Sequence, residues 1–184
     1  MNKIILLLLF TISLYSDAKS YLGLNYGQIN EKFSTMDAKA SSEFLNLKVG
    51  YGLRETYAVE FNLEYAKNKS KVFSSDPNVS YDGDRYSVNI ELVKAFDLDI
   101  YVLPFIKAGF GAGYLKVDRT LDNRLSFGSF NIGTGFFIPI SDNFDFEIAY
   151  KYKTYSYEAL DLISTNIVHK SNSDSAHFGF NIRY

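Results

Sequence analysis

The chain has 184 residues, a formal net charge of −2 and 47% hydrophobic residues, among them 15 Tyr and 16 Phe, with neither Cys nor Trp. The near-neutral charge predicts no bulk attraction to nucleic acid, and the absence of Cys excludes disulfides, thiolate metal sites and a lipid-attachment cysteine. The length is sufficient for one domain.

The N-terminal segment has the pattern of an export signal. Lys3 gives it a positive start, the run from Ile4 to Ile12 is apolar except for Thr11, and Ser16 and Ala18 supply small residues where a signal peptidase reads. The apolar run is about half of the ~20 residues that a membrane-spanning helix needs. We therefore expect residues 1–18 to be a cleaved signal peptide and residues 19–184 to form the mature domain.

Eight later segments alternate apolar and polar side chains with the two-residue period of a β-strand. Each apolar face has about the length that a tilted strand needs to cross the hydrocarbon layer, whereas no segment after residue 18 could cross it as a helix. The pattern predicts an all-β protein, an eight-stranded antiparallel up-and-down transmembrane β-barrel. The faces are Leu22 to Tyr26, Leu45 to Tyr51, Tyr57 to Tyr65, Tyr86 to Leu92, Ile106 to Tyr114, Phe130 to Ile138, Phe144 to Tyr152 and Ala176 to Tyr184.

The alternate positions carry glycine, short polar groups and charges. The lumen of an eight-stranded barrel is only just wide enough for side chains, so this face fits the inside and the Phe and Tyr rows fit the lipid side. The charges are nearly balanced in sign, which favours a salt-bridged plug, with a narrow ion or small-solute pore as the alternative. The predicted lumenal charge network is Lys48, Glu60, Glu64, Arg85, Glu91, Lys107, Glu147, Lys151 and Arg183.

The connections alternate between long and short along the chain. Outer-membrane barrels have short periplasmic turns and longer external loops, and an even strand count leaves both termini in the periplasm. The long polar connections are Ile29 to Ser41, Lys67 to Asp84, Lys116 to Leu125 and Ser156 to Ser173, and the tight turns are Gly52 to Thr56, Ala95 to Asp99 and Pro139 to Asn143.

The chain resembles the small eight-stranded outer membrane proteins of the opacity and outer-membrane-protein-A-like barrel superfamily, a porin-like architecture of Gram-negative bacteria. The resemblance lies in Tyr21 to Gly27, Leu103 to Gly113, Ile138 to Tyr152 and the aromatic C-terminus. It implies an outer-membrane location and leaves the task open, because members include adhesins and envelope tethers. The last strand also resembles the signal read by the barrel-assembly machinery, carried here by Phe178, Phe180, Ile182 and Tyr184.

The two histidines are the residues to consider for catalysis. The stretch from His169 to Asn172 resembles the His-x-Ser-Asn stretch of outer-membrane lipid A deacylases, but no Asp or Glu follows at that family's separation, and we expect His169 to be a solvated loop residue. His177 is expected to point into the lumen and form hydrogen bonds there. The sequence contains no cofactor or metal-ligand motif, so no cofactor is expected.

Two features mark the external side. Lys67, Lys69 and Lys71 lie where the third strand leaves the membrane and face either lipopolysaccharide phosphates or water. The fourth external loop contains Leu160, Leu162, Ile163, Ile167 and Val168, which suggests that strands seven and eight continue as a protruding hairpin that a partner binds edge-on.

These observations favour a monomeric, non-enzymatic outer membrane protein with a structural or adhesin-like role. Its expected partners are outer-membrane lipid and lipopolysaccharide, the barrel-assembly machinery and a host or cell-surface ligand, and not nucleic acid. A narrow pore is the first alternative function, and a lipid A-modifying enzyme is the second.

Overall fold

A computed structural model gives the architecture of the chain. It describes residues 18–34, 38–73, 78, 81–118, 123–162 and 165–184, with side chains at all of these except 38, 159–162 and 165–168. The predicted signal peptide therefore lies outside the described residues, apart from residue 18. No helix in the described part of the chain is long and apolar enough to cross a membrane.

Eight antiparallel strands close into a barrel in chain order, which confirms the predicted fold. Closure is made by β1 and β8, where Leu24 lies opposite Phe180. Closure leaves no unpaired sheet edge inside the bilayer, which a membrane requires. The strands are β1 Lys19–Phe33, β2 Ala38–Gly52, β3 Tyr57–Asn68, β4 Arg85–Ala95, β5 Leu103–Lys116, β6 Arg124–Ser141, β7 Phe144–Leu162 and β8 Thr165–Arg183.

The two faces of the barrel wall have opposite chemistry. Phe110 is 72% exposed on the outer face, whereas Lys48 is 0% exposed in the lumen. Outward tyrosines lie in two girdles, as at the interfaces of membrane barrels. The external girdle contains Tyr26, Tyr65, Tyr86, Tyr114 and Tyr152, and the periplasmic girdle contains Tyr51, Tyr57, Tyr101 and Tyr184.

The first and fourth predicted external loops are shorter than expected, because the strands continue through them, whereas the second and third lie close to the predicted bounds. β1 reaches Phe33 and β2 begins at Ala38, while the β7–β8 ladder continues to the pair Leu162↔Thr165. Above the girdle the outward residues are polar and inward residues such as Ile29, Phe33 and Tyr155 are apolar, so the alternation is inverted there while the backbone ladder persists. The ladder confirms the predicted hairpin, although the side chains of its apolar residues, Leu160, Leu162, Ile163, Ile167 and Val168, lie outside the described residues.

The continued strands form one curved sheet beyond the external girdle, which we call the external wall. It contains residues 28–33 of β1, 38–43 of β2, 154–162 of β7 and 165–174 of β8. At about 3.3 Å per residue and a tilt of about 40°, the path from Tyr152 to Leu162 rises about 25 Å above the girdle.

Candidate functional site

The nine predicted lumenal charges are all buried, and all lie on inward-facing strand positions. Six of them contact a partner within the set, while three have partners that the sequence reading did not include. Buried charge is costly unless it is paired and hydrogen-bonded, so the partners decide whether this interior is stable.

Four of the charges form a closed quartet across the lower lumen, which we call the ion quartet. The Lys107 Nζ lies 2.9 Å from Glu60 Oε2 and 2.8 Å from Glu147 Oε1. The Lys48 Nζ lies 3.1 Å from Glu60 Oε1 and also contacts Glu147 Oε2. Each cation therefore bridges both anions, and the contacts join β2, β3, β5 and β7 across the barrel axis.

Neutral groups complete the coordination of the ion quartet. Tyr21 donates its hydroxyl to Glu60 Oε1 at 2.8 Å, and Asn181 donates to Glu147 Oε2 at 3.2 Å. Gly50 makes room for the Tyr21 ring, since a Cβ at position 50 would lie 2.0 Å from Tyr21 Cζ. The carboxylates thus accept hydrogen bonds from several donors, as buried anions require.

His177 lies in the lumen as predicted. Its Nε2 is 3.4 Å from Glu147 Oε1, and its ring contacts Phe44 edge-on at 5.8 Å between centroids. Across the described residues, no group of three or more His, Cys, Asp or Glu side chains is arranged to hold a metal ion.

Further ion pairs continue toward the external side. Lys151 Nζ lies 2.6 Å from Glu91 Oε1, and Lys153 Nζ lies 3.1 Å from both carboxylate oxygens of Glu64. Glu64 also accepts a long bond of 3.4 Å from Ser87. These pairs fill the lumen above the ion quartet.

The uppermost lumenal group is built around Glu31. Arg85 Nη1 lies 2.6 Å from Glu31 Oε2, Tyr157 donates its hydroxyl to Glu31 Oε1 at 2.8 Å, and Ser171 donates to the same oxygen. Burial and the Glu31 carboxylate raise the pKa of the Tyr157 phenol well above its usual value, so the hydroxyl stays protonated and donates. The guanidinium of Arg85 also lies 4.6 Å from the centre of the Tyr155 ring.

At the periplasmic end, one carboxylate joins two arginines. Asp145 accepts bonds of 2.7 Å from both Arg183 Nε and Arg54 Nε, and Arg54 also donates to the Ser141 carbonyl at 2.8 Å. Arg54 lies in the turn after β2, so this group ties the β2–β3 turn to the β6–β7 hairpin. Asp145 is thus the carboxylate partner of Arg183.

The sequence reading left four of these charged residues out of the network. Lys153 and Asp145 continue the inward period of β7, so alternation alone was enough to find them. Glu31 was assigned to a loop that is in fact strand, and Arg54 reaches the lumen from a turn, where no period applies.

Apolar layers lie in the lumen on both sides of the ion quartet. The periplasmic layer contains Phe105 and Phe137, whose rings stack at 4.3 Å, and the external layer contains Phe33, Phe73, Phe127 and Tyr157. The cavity beside Glu31 and Arg85 holds about 10 Å³, which is about one water molecule. The described part of the lumen is therefore packed rather than open.

The deacylase-like stretch lies in strand β8 and not in a loop. His169 is 3% exposed and Ser171 is fully buried, so the expectation of a solvated loop histidine is wrong. Both residues occupy inward positions because they are two residues apart on one strand, and the His169 ring contacts Phe73 at 5.5 Å. They face the lumen, away from the lipid that a deacylase would process.

Lys67, Lys69 and Lys71, at and just after the end of β3, lie on the outer surface. Lys67 stands opposite Glu43 in the β2–β3 ladder, and Lys69 Nζ contacts Glu43 Oε1. These contacts are exposed and contribute little to stability. The four residues of the predicted assembly signal also face outward, and Phe178 and Phe180 pack against aromatic rings of neighbouring strands, Tyr26 at 6.0 Å and Phe144 at 5.3 Å respectively.

A closed eight-stranded barrel with an apolar exterior, tyrosine girdles and a charged interior defines a small outer-membrane β-barrel protein. The sequence profile of the family described as outer membrane protein beta-barrel domain matches residues 4–183. The chain belongs to this family and is a protein of the outer membrane.

Known proteins of the same architecture resemble the chain at low identity. It is 23% identical over 177 residues to a 25 kDa outer-membrane immunogenic protein of Brucella canis, which covers 92% of this chain and 80% of that protein. It superposes on Neisserial surface protein A with a TM-score of 0.64 at 16% identity, covering 91% of this chain and 99% of the other. The TM-score is 0.58 at 19% identity, with the same coverage, for the attachment invasion locus protein Ail of Yersinia pestis, solved with the heparin analogue sucrose octasulfate.

Proposed function

We propose that the protein is a non-enzymatic, non-conducting outer-membrane barrel whose external wall contacts macromolecules outside the cell. The observation that carries the proposal is the wall itself, four neighbouring strands that continue well beyond the external girdle. A barrel that served only as a membrane plug would need no such extension. The names of two proteins with the same fold, a surface protein and an attachment invasion locus protein, agree with this role.

The outward side chains of the wall favour hydrogen bonding over electrostatic attraction. Those that the structure describes are amides, hydroxyls, three cations and three anions, so no sign of charge dominates among them. Electrostatic steering needs a patch of one sign, and this surface is mixed. The residues are Gln28, Asn30, Lys32, Lys39, Ser41, Glu43, Thr154, Ser156, Glu158, Lys170, Asn172 and Asp174.

The wall also presents a strand edge. β6 pairs with β7 only as far as Phe127↔Tyr157, whereas β7 continues to Leu162. Within the described ranges no strand pairs with the outer edge of β7 beyond Tyr157. An extended segment of a partner protein can add to such an edge through backbone hydrogen bonds, and side-chain contacts then supply specificity.

Shortening the hairpin tests the proposed contact. Replacing residues 159–168 by Asn-Gly should lower the adhesion of expressing cells to cultured epithelial monolayers several-fold, while the membrane-spanning ladder is unchanged. The matched control removes residues 119–122 from the β5–β6 connection, which is not part of the wall. Adhesion equal to that of the unaltered protein in the hairpin variant would refute the proposal.

The non-conducting and non-enzymatic parts have separate tests. In planar bilayers the purified protein should give no steady openings, and steady openings would favour the pore. Lipid A from cells that express the Ser171→Ala variant should match lipid A from cells that express the unaltered protein. A deacylated species that disappears with Ser171→Ala would establish the enzyme instead.

We further propose that residues 1–18 direct export and that the outward residues of the last strand are read by the barrel-assembly machinery. The support is the leader pattern and the spacing by two of Phe178, Phe180, Ile182 and Tyr184. A monomer is the expected state, because the barrel is closed and its charged interior is paired within one chain.

A further inference from the structure

Lys94, near the end of β4, lies on the outer surface where the barrel meets the periplasmic girdle. It stands opposite the girdle residue Tyr57 in the β3–β4 ladder. Its Nζ lies 4.1 Å from the centre of the Tyr57 ring and 5.7 Å from that of the Phe96 ring. Among the ion pairs of the described residues, none includes Lys94. The two rings hold the ammonium group at the surface, and its N–H groups stay available to an acceptor outside the chain.

An apolar furrow begins at Lys94 and crosses the lipid-facing surface from β4 to β7. It encloses about 420 Å³. Ala108 forms its floor, because it stands between Leu92 and Ile132 in the ladder and both of these neighbours have larger side chains. A linear apolar chain that lies over Ala108 therefore contacts side chains on both sides as well as below.

The furrow has the length and the chemistry of a site for one acyl chain. The ladder connects Lys94, Ile106, Thr134 and Tyr150 as successive partners on four neighbouring strands. At about 4.8 Å between strands this row is about 14 Å long, and one acyl chain fills half of the ~30 Å hydrocarbon core, or about 15 Å. The Thr134 hydroxyl donates to the Phe105 carbonyl at 2.9 Å, so this polar group is satisfied within the sheet and needs no partner from the lipid.

The turn that follows β4 exposes apolar side chains on the periplasmic side of the furrow. Leu98, Ile100 and Tyr101 are each more than half exposed. Apolar and aromatic residues in this position, next to a girdle, lie in the headgroup layer of the bilayer. The turn begins at a fixed point, because Phe96 donates its N–H to the Pro104 carbonyl at 2.9 Å.

Two carboxylates alternate with the apolar side chains of this turn. Asp97 and Asp99 are both exposed, and within the described ranges neither takes part in an ion pair. Asp99 has a positive φ of 56°, which Asp tolerates, and donates its N–H to Asp97 Oδ1 at 3.1 Å. One cation, Lys94, is thus followed by two anions at the depth of the lipid headgroups.

We propose that this surface binds one diacyl phospholipid of the periplasmic leaflet whose headgroup carries an ammonium group. Its phosphate accepts hydrogen bonds from the Lys94 ammonium, its own ammonium group faces Asp97 and Asp99, and one acyl chain lies in the furrow at Ala108. Charge complementarity selects among lipids, since a zwitterionic headgroup matches one cation followed by anions, whereas a lipid of net negative charge is repelled by both carboxylates. The site shares no residue with the external wall, so it is independent of the proposed surface contact.

Lipid retention by the purified full-length protein tests the site. Native mass spectrometry from detergent micelles compares three lipids with the same acyl chains, namely phosphatidylethanolamine, phosphatidylglycerol and diacylglycerol, which lacks the phosphate. Lys94→Gln removes the cation, and Lys39→Gln on the wall is the control for the loss of one exposed charge. Ala108→Leu fills the furrow, and Ala112→Leu, at another outward alanine of the same strand, is its control. Gel mobility without heating establishes that each variant is folded.

Phosphatidylethanolamine should be retained at least about tenfold less by Lys94→Gln than by the unaltered protein or Lys39→Gln. It should be retained several-fold less by Ala108→Leu than by Ala112→Leu, and diacylglycerol should be retained as weakly by the unaltered protein as phosphatidylethanolamine is by Lys94→Gln. Equal retention of phosphatidylethanolamine by Lys94→Gln and Lys39→Gln, or by the two alanine variants, would overturn the site.

The headgroup assignment has its own comparison. The unaltered protein should retain phosphatidylglycerol several-fold less than phosphatidylethanolamine, and Asp97→Asn with Asp99→Asn should remove this difference. Asparagine keeps the side-chain oxygen that accepts the turn hydrogen bond, so the double variant changes charge without loss of the turn. Phosphatidylglycerol retained by the unaltered protein as well as phosphatidylethanolamine would overturn the assignment to a lipid with an ammonium group.

Discussion

Removal of one charge from the ion quartet should destabilise the barrel far more than removal of a surface charge. Glu147→Gln leaves Lys48 and Lys107 with Glu60 as their one remaining anion in the quartet. Loss of one partner of a buried pair costs about 3–5 kcal/mol, because the remaining charge stays desolvated. With a urea m-value of about 2 kcal/mol/M, the unfolding midpoint should fall by about 1.5–2.5 M.

Urea unfolding in lipid vesicles measures this change, and a double variant makes it specific. The chain contains no Trp, so unfolding is followed by far-ultraviolet circular dichroism and by gel mobility without heating. Lys107→Met together with Glu147→Gln removes one charge of each sign and leaves Lys48 paired with Glu60. This double variant should cost no more than either single change, since the quartet stays neutral.

A surface pair provides the matched control. Lys69 and Glu43 are 52% and 45% exposed, so Glu43→Gln should cost at most about 1 kcal/mol. A midpoint for Glu147→Gln equal to that of Glu43→Gln would refute the reasoning, because the buried quartet would then have no more influence on stability than a solvated pair. Strictly additive losses in the double variant would also contradict it.

Two further changes test packing and assembly. Gly50→Ala places a methyl group within the space of the Tyr21 ring and should lower the free energy of unfolding by about 1–3 kcal/mol in the same titration. Gly128→Ala, whose new methyl group meets no atom within 4 Å, should change the free energy of unfolding by less than about 0.5 kcal/mol. Equal effects of the two substitutions would show that the Tyr21 contact is unimportant. Tyr184→Ser should lower the fraction of newly made protein that reaches the heat-modifiable folded form in cells, while Tyr101→Ser, an equally exposed periplasmic tyrosine, should not; normal assembly of Tyr184→Ser would exclude that residue from the assembly signal.

The sequence was sufficient for the membrane-spanning part of the fold because the two faces differ strongly there. Leu22, Leu24 and Tyr26 alternate with Gly23 and Asn25, so the period is unmistakable. Above the girdle, Gln28 and Lys32 face water whereas Ile29 and Phe33 face the lumen, so the polar residues are on the outside and the alternation is inverted. A search for outward apolar rows therefore stops at the girdle, although the ladder continues.

The two-residue period of the strands cannot predict which lumenal charges pair with one another. Alternation places Lys48, Glu60, Lys107 and Glu147 inside, but it does not say which charges meet across the axis. That depends on strand tilt and on the register of all eight strands together. The ion quartet joins β2 and β3 to β5 and β7, and neither β5 nor β7 is adjacent to β2 or β3 in the barrel. The link through Arg54 depends on a turn conformation that no side-chain period encodes.

Because the lumenal charges are paired within the chain, function is confined to the outer surface. Every cation that the ion-pair network places in the lumen has a carboxylate partner from the same chain, and apolar layers lie on both sides of the ion quartet. Recognition must then use groups that face lipid or the exterior. The external wall on β7, β8, β1 and β2 presents such groups beyond the external girdle. Because energetic effects of separated sites add, changes in the wall should leave the stabilising effect of the ion quartet unaltered, and the wall can be altered independently of the membrane-spanning barrel.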